Sequence, residues 1–201
     1  MKTLRHMLAA VAAVALLASS VAEPALAQTG PGGSFADFPQ QFNTYSAAVT
    51  ALAPAASATD LITISGAAGK TILVRKISCS GISTAAAAAL VKVVKRSTLD
   101  TAGTSTTPTA VPYNSAYGLA AGAVLKAYTA NPTVGTSVGD VASAELQTGP
   151  AASATGNPLL VFDFTNQKVA LNSATELLAV NGNGASFSAG AALNCTIEWQ
   201  E

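Results

Sequence analysis

Charged residues are scarce in this chain of 201 residues. Only 10% are Asp, Glu, Lys or Arg, and the formal net charge is zero. An average globular protein carries roughly 25% charged residues. Proteins that bind nucleic acids neutralise phosphates with clustered Lys and Arg, and the sequence has no such cluster. The composition therefore argues against a nucleic-acid partner.

Histidine is almost absent, since the only one is His6 in the N-terminal leader described below. Ser-His-Asp and Cys-His mechanisms need an imidazole, which is also the commonest metal ligand. The acidic residues are scattered and lack the spacing of a calcium loop. We therefore expect no catalytic residue, no metal site and no cofactor. The remaining enzymatic alternative is a hydrolase that uses the carboxylates of Asp163 and Glu176.

Residues 1–27 match a secretory signal peptide. Lys2 and Arg5 precede an apolar run over residues 8–18, which is too short to span a bilayer. Ala25-Leu26-Ala27 then fits an A-x-A cleavage site. We expect a secreted, periplasmic or cell-surface protein that has no membrane span after cleavage. The alternative is an uncleaved N-terminal anchor helix.

Cysteine is limited to Cys79 and Cys195. An even number of cysteines in an exported protein indicates a disulfide, and both residues lie in strand-like runs that can be neighbours. The sequence therefore predicts a Cys79–Cys195 bridge. Two buried free thiols are the alternative.

Residues 28–57 form an N-terminal arm in this interpretation, with an apolar stripe at 3-4-3-4-3 spacing. The stripe consists of Phe35, Phe38, Phe42, Tyr45, Val49 and Leu52. This is the a/d spacing of a helix, and Pro39 fits the first turn of a helix that begins near Phe38. Three interpretations remain open: a short amphipathic helix on the body of the protein, a self-association surface, or an irregular arm.

Residues 58–201 have the pattern of many short strands joined by polar turns. The clearest strand is the last, in which Leu193, Cys195, Ile197 and Trp199 alternate with polar residues. In the run over residues 70–80 the apolar positions shift parity, which predicts a β-bulge near Arg75 and Lys76. We therefore predict an all-β protein: an antiparallel β-sandwich, jelly-roll-like, preceded by a short helical or irregular arm.

Tyrosines suggest one binding function. Tyr113 and Tyr117 fall in a long loop, where their rings can serve as a platform for the sugar rings of a surface glycan. Tyr128 lies within a predicted strand, where packing in the core is the better explanation. A secreted glycan-binding module is therefore the alternative to a structural function.

Several stretches together resemble small jelly-roll virion proteins, of the head-decoration or fibre type, from tailed phages and prophages. These stretches are residues 95–98 (KRST) with 100–105 (DTAGTS), 127–133 (AYTANPT) with 135–136 (GT), 176–181 (ELLAVN) and 197–201 (IEWQE). The resemblance covers residues 59–201. It implies a non-enzymatic β-sandwich that assembles as a homotrimer. Together with the leader, it leads us to expect an exported structural or adhesion-type protein that self-associates.

Overall fold

A computed structural model describes residues 42–117, 120–150 and 157–201, which form twelve β-strands and one short 3₁₀ turn at Ser115–Tyr117. The strands are β1 (Thr44–Leu52), β2 (Ala58–Ser65), β3 (Ile72–Ile82), β4 (Ala87–Arg96), β5 (Ser105–Thr106), β6 (Val111–Pro112), β7 (Val124–Tyr128), β8 (Ser137–Gly149), β9 (Leu160–Asp163), β10 (Val169–Leu171), β11 (Leu177–Ala185) and β12 (Ala192–Gln200). No helix within these ranges is long and apolar enough to span a membrane.

The strands form one curled sheet in the order β5-β7-β2-β11-β4-β8-β3-β12-β1-β6. Short strands β9 and β10 pair with β3, next to the end of β8. All pairs are antiparallel except β3 with β8, which run parallel over two residue pairs. The predicted all-β, jelly-roll-like sandwich is confirmed.

The core lies between the two halves of this sheet and contains the inward-facing residues of the long strands. Tyr45 on β1 and Trp199 on β12 are directly opposite and stack, with ring centroids 5.7 Å apart. Both rings are almost completely buried. Burial of large aromatic surface is a main source of stability in a small sandwich.

The helical interpretation of the apolar stripe is wrong for residues 44–52, because they form strand β1. Tyr45 and Val49 face the core at even spacing, as strand residues do. Ala51 then has a φ of 52°, and the register with β12 shifts between Val49 and Leu52. This bulge adds one residue, so Leu52 also faces the core and the strand reproduces the 4-3 spacing of a helix.

The expected arm therefore contributes a strand to the sandwich. The compact unit runs from Phe42 to Glu201 and includes β1. The expected signal peptide, together with Phe35 and Phe38, lies outside the described residues.

The β3–β12 ladder confirms two predictions. Cys79 lies directly opposite Cys195, and the two residues form the predicted disulfide. Glu198 pairs with Lys76 whereas Trp199 pairs with Val74, so Arg75 is the extra residue of the predicted bulge. The bridge thus joins the two central strands of this half of the sandwich.

Replacing both cysteines by alanine should destabilise the protein without changing its fold. The bridge closes a loop with a sequence separation of 116, for which the chain-entropy relation gives about 4–5 kcal/mol as an upper value. Urea unfolding of the Cys79→Ala, Cys195→Ala variant should show a lower midpoint than the wild type. A reductant should lower the wild-type midpoint and leave that of the variant unchanged. Equal midpoints without reductant would contradict this role.

Candidate functional site

A second buried layer lies on the outer face of the sheet, opposite the core. Leu178 and Val180 of β11 belong to the core, whereas Leu177 and Ala179 between them are buried outside it. Because side chains alternate along a strand, Leu177 and Ala179 face the other way. Tyr128 of β7 is also buried outside the main core. Another segment of the chain must therefore shield the outer face of β7, β2, β11 and β4 from solvent.

Two loops, residues 97–104 and 129–136, lie at this face, and we call them the cover loops. Leu99 and Asp100 of the first loop line one pocket together with Tyr128 and Leu177. The two loops hydrogen-bond to one another: Thr101 and Thr133 exchange both backbone bonds, at 3.0 and 2.7 Å. The Asn131 side chain accepts a bond from the Thr59 amide and donates to the carbonyl of Ser57. The cover loops are thus attached to each other and to the start of β2.

Arg96, at the end of β4, fastens the cover loops to the sheet. Its Nε and Nη2 donate to the two carboxylate oxygens of Asp60 on β2, at 2.7 and 2.8 Å. Its Nη1 donates to the carbonyl oxygen of Gly135 at 3.0 Å. Hydrogen bonding to the Asp60 carboxylate raises the pKa of Arg96, so the guanidinium stays charged in its buried position.

Residue 135 must be glycine because there is no room for a side chain at this position. A Cβ on residue 135 would collide with the carbonyl oxygen of Thr98. Without a side chain, the backbone comes close enough for the Gly135 amide to donate to Asp100 Oδ1 at 2.9 Å. The two cover loops therefore meet at Gly135, on top of Arg96.

Asp100 adds a second carboxyl group to the same buried cluster. Its side chain is 1% exposed, and Oδ1 lies 3.8 Å from Arg96 Nε. The pKa of Asp100 is raised to about 6, mainly by burial and also by the neighbouring Asp60 carboxyl group, against the lowering effects of the Gly135 amide and Arg96. Asp60 in turn accepts a bond from the Asn181 side chain on β11. One cation thus faces two buried carboxyl groups.

A pocket of about 40 Å³ opens beside Asp100 on this outer face. Its walls combine hydroxyl, charged and apolar side chains: Thr63, Ser65, Leu99, Asp100, Val124, Lys126, Tyr128 and Leu177. Chemically, the cluster can bind and release a proton, and the pocket has room for one small polar group. Within the described ranges, no three His, Cys, Asp or Glu residues are close enough to hold a metal ion.

Most of the residues singled out in the sequence lie elsewhere. Tyr45, Val49 and Leu52 are buried in the core, so these three side chains are not available as an assembly surface; Phe42 is 40% exposed. Tyr113 follows β6 and is 62% exposed.

Tyr117 ends the 3₁₀ turn, and its side chain lies outside the described residues. The structure therefore does not test a platform formed by both tyrosines.

The two candidate carboxylates have separate local partners. Asp163 accepts hydrogen bonds from the Thr165 side chain and from the Thr165 amide, and both lower the pKa of Asp163. Glu176 accepts a bond from the Asn172 amide and lies 3.5 Å from Lys95. Each carboxylate is thus part of the local structure around its own turn.

The cluster of Asp60, Arg96 and Asp100 was missed in the sequence analysis. Asp60 and Arg96 are 36 residues apart, and only the pairing of β2 and β4 with β11 brings them together. One signal existed, because Arg96 ends a valine-rich strand in a chain with few charges. Arg96, Asp100 and Gly135 also lie in the stretches on which the virion resemblance rests.

Comparison of the chain with protein-family models, curated proteins and solved structures finds no match. The resemblance to virion proteins therefore stays a prediction from sequence.

Replacing Arg96 by methionine should destabilise the protein strongly, because it leaves Asp60 and Asp100 buried without a cation. The expected loss is about 3–5 kcal/mol in the free energy of unfolding, measured by urea denaturation at neutral pH. Lys92→Met is the matched control, since Lys92 pairs with the half-exposed Asp140 at 2.9 Å. This control should lose no more than about 1 kcal/mol. Similar losses in both variants would contradict a special role for the buried cluster.

Proposed function

We propose that this chain is an exported, non-catalytic structural or adhesion-type protein that self-associates through strand β8. Export is supported by the leader pattern of residues 1–27 and by the Cys79–Cys195 disulfide, since such bridges persist in oxidising compartments outside the cytoplasm. The resemblance to phage virion components supports the structural class and favours a trimer. The final location is then the periplasm, the cell surface or the medium.

The proposal is based on strand β8, which has 13 residues and is paired along only one of its edges for most of its length. Residues 137–141 are all exposed, and one edge of β8 pairs with β4 along its length. At the other edge, only Thr148 and Gly149 pair, with the end of β3. Among the described residues, no strand pairs with this edge over residues 137–147. The backbone groups of an open edge can pair with a strand of another chain.

The exposed side chains of β8 are suited to contact with a second copy. Val138 and Val141 are 62% and 40% exposed. They are the extra residues at the two register shifts of the β4–β8 ladder. Monomeric proteins commonly protect such edges with β-bulges and with charged residues, above all Lys; β8 has two bulges, but the extra residue of each is a valine. Apolar side chains beside unpaired backbone groups favour association with a copy over exposure to water.

The test is the native mass of the exported protein, measured by light scattering during size exclusion. We expect a multiple of the chain mass for the wild type. Val138→Lys with Val141→Lys should weaken association about 100-fold or more, because two buried valines contribute about 3 kcal/mol or more and like charges repel. Val111→Lys, at a 56% exposed valine on β6, is the control and should keep the wild-type mass. A wild type that is monomeric at every concentration sinks the proposal.

A second candidate function, glycan binding, is favoured by the exposure of Tyr113. It is the most exposed aromatic ring among the described residues. Its backbone is held in place, because the Tyr113 amide donates to the Thr44 carbonyl oxygen at 2.8 Å. A fixed, exposed ring is suited to stacking on a sugar ring.

Under this second function, Tyr113→Ala should abolish the retention of the protein on an insoluble polysaccharide. Phe42→Ala is the control, since Phe42 is also exposed and lies outside the loop. Failure of the wild type to be retained on any polysaccharide tested would exclude the function.

A further inference from the structure

The carboxyl group of Asp100 has one oxygen whose hydrogen bonding is unexplained. Oδ1 accepts the bond from the Gly135 amide. Oδ2 is buried and has no hydrogen-bond partner among the described atoms. Leaving a buried carboxylate oxygen without a partner is costly, so native structures rarely do so.

Asp60 is the group that faces Asp100. Both carboxyl groups lie beside the same nitrogen, because Oδ2 of Asp60 is 2.7 Å and Oδ1 of Asp100 is 3.8 Å from Arg96 Nε. Two ionised carboxylates cannot form a hydrogen bond, because both groups only accept. A proton on one of them turns the repulsive contact into an O–H···O bond and gives Oδ2 its partner.

Charge balance supports the same arrangement. Asp60 of β2 and Asp100 of the first cover loop face a single guanidinium, that of Arg96 on β4. Around them, β7 contributes the Tyr128 phenol, with Lys126 at the pocket wall, and β11 contributes the uncharged Asn181.

The negative charge of Asp140 on β8 also raises the pKa of Arg96, but Asp140 forms its ion pair with Lys92. With both carboxyl groups ionised, the buried cluster therefore carries an excess negative charge. With one proton added it is neutral.

We propose that Asp60 and Asp100 share one proton, donated from Oδ2 of Asp100 to Asp60, and that release of this proton to solvent loosens the cover loops and widens the pocket beneath them. Gly135 bonds to both Asp100 and Arg96, so repulsion between the two acids acts directly on the point where the cover loops meet. Leu99 and Asp100 belong to the pocket wall, so their displacement enlarges it. The inference is independent of self-association through β8.

The direction of the pH effect follows from the raised pKa of Asp100. The folded protein holds the proton up to a pH of about 6, whereas the unfolded chain loses it near the ordinary value of 3.8. The contribution of the protonated pair is therefore complete below the unfolded pKa. It decreases as the pH rises and is lost above the folded pKa. Acidic conditions close the cover loops, and neutral conditions loosen them.

Hydrogen exchange of the full exported protein tests the proposal. Exchange at Gly135 and Thr101, corrected for the intrinsic effect of pH, should be at least about tenfold faster at about pH 7.5 than at about pH 4.5. In Asp100→Asn, the amide nitrogen donates to Asp60 at every pH while the amide oxygen still accepts from Gly135. The corrected rates of this variant should be equal and slow at both pH values.

Asp163→Asn is the matched control. It removes an exposed carboxylate at the end of β9, outside both cover loops. It should keep the pH dependence of the wild type. Corrected exchange rates that do not depend on pH in the wild type would overturn the proposal. A pH dependence in Asp100→Asn equal to that of the wild type would also overturn it.

A carboxyl NMR titration provides a second measurement that does not depend on loop opening. One carboxyl group should titrate near pH 6 in the wild type, and this transition should be absent from Asp100→Asn. Titration of every aspartate near its ordinary value of about 4 would exclude the shared proton, even if exchange in the cover loops changed with pH.

Discussion

The buried guanidinium of Arg96 holds the outer layer of this sandwich in place. It bonds to Asp60 within the sheet and to Gly135 in a cover loop, so one side chain connects two structural layers. The second carboxyl group, on Asp100, brings the other cover loop to the same point. Buried ion pairs are costly to desolvate, and the hydrogen bonds from Arg96 and the Gly135 amide offset part of that cost here. The position of the pocket, and its response to protons, both follow from this constraint.

The other half of the sandwich depends on apolar contact and a covalent link. Strand β12 lies between β1 and β3, stacks Trp199 on Tyr45 and joins β3 through the disulfide. In the half that contains the cover loops, the buried ionisable groups Asp60, Arg96 and Asp100 bind one another. Under the proposed function, copies of the protein assemble through the edge of β8 that no described strand pairs with.

The two proposals concern different surfaces of the same sheet. Self-association uses the open edge of β8, whereas the proton-dependent change involves the cover loops over β2, β11 and β4. The two surfaces meet only at the ladder between β4 and β8. There Asp140 pairs with Lys92, and its charge also raises the pKa of Arg96. Assembly and the opening of the pocket can therefore be measured separately.

The sequence by itself determined the all-β class and the bulge at Arg75, because the alternation of apolar residues along a strand is a local property. It also indicated the disulfide, because the chain has two cysteines and only one pairing is possible. Its pattern failed at β1, where a bulge at Ala51 makes a strand repeat with the spacing of a helix. Only the tertiary structure decided which charges meet, since Asp60, Arg96 and Asp100 come together through strand pairing across β11. It also decided that one edge of β8 stays open, because pairing partners are a property of the whole sheet.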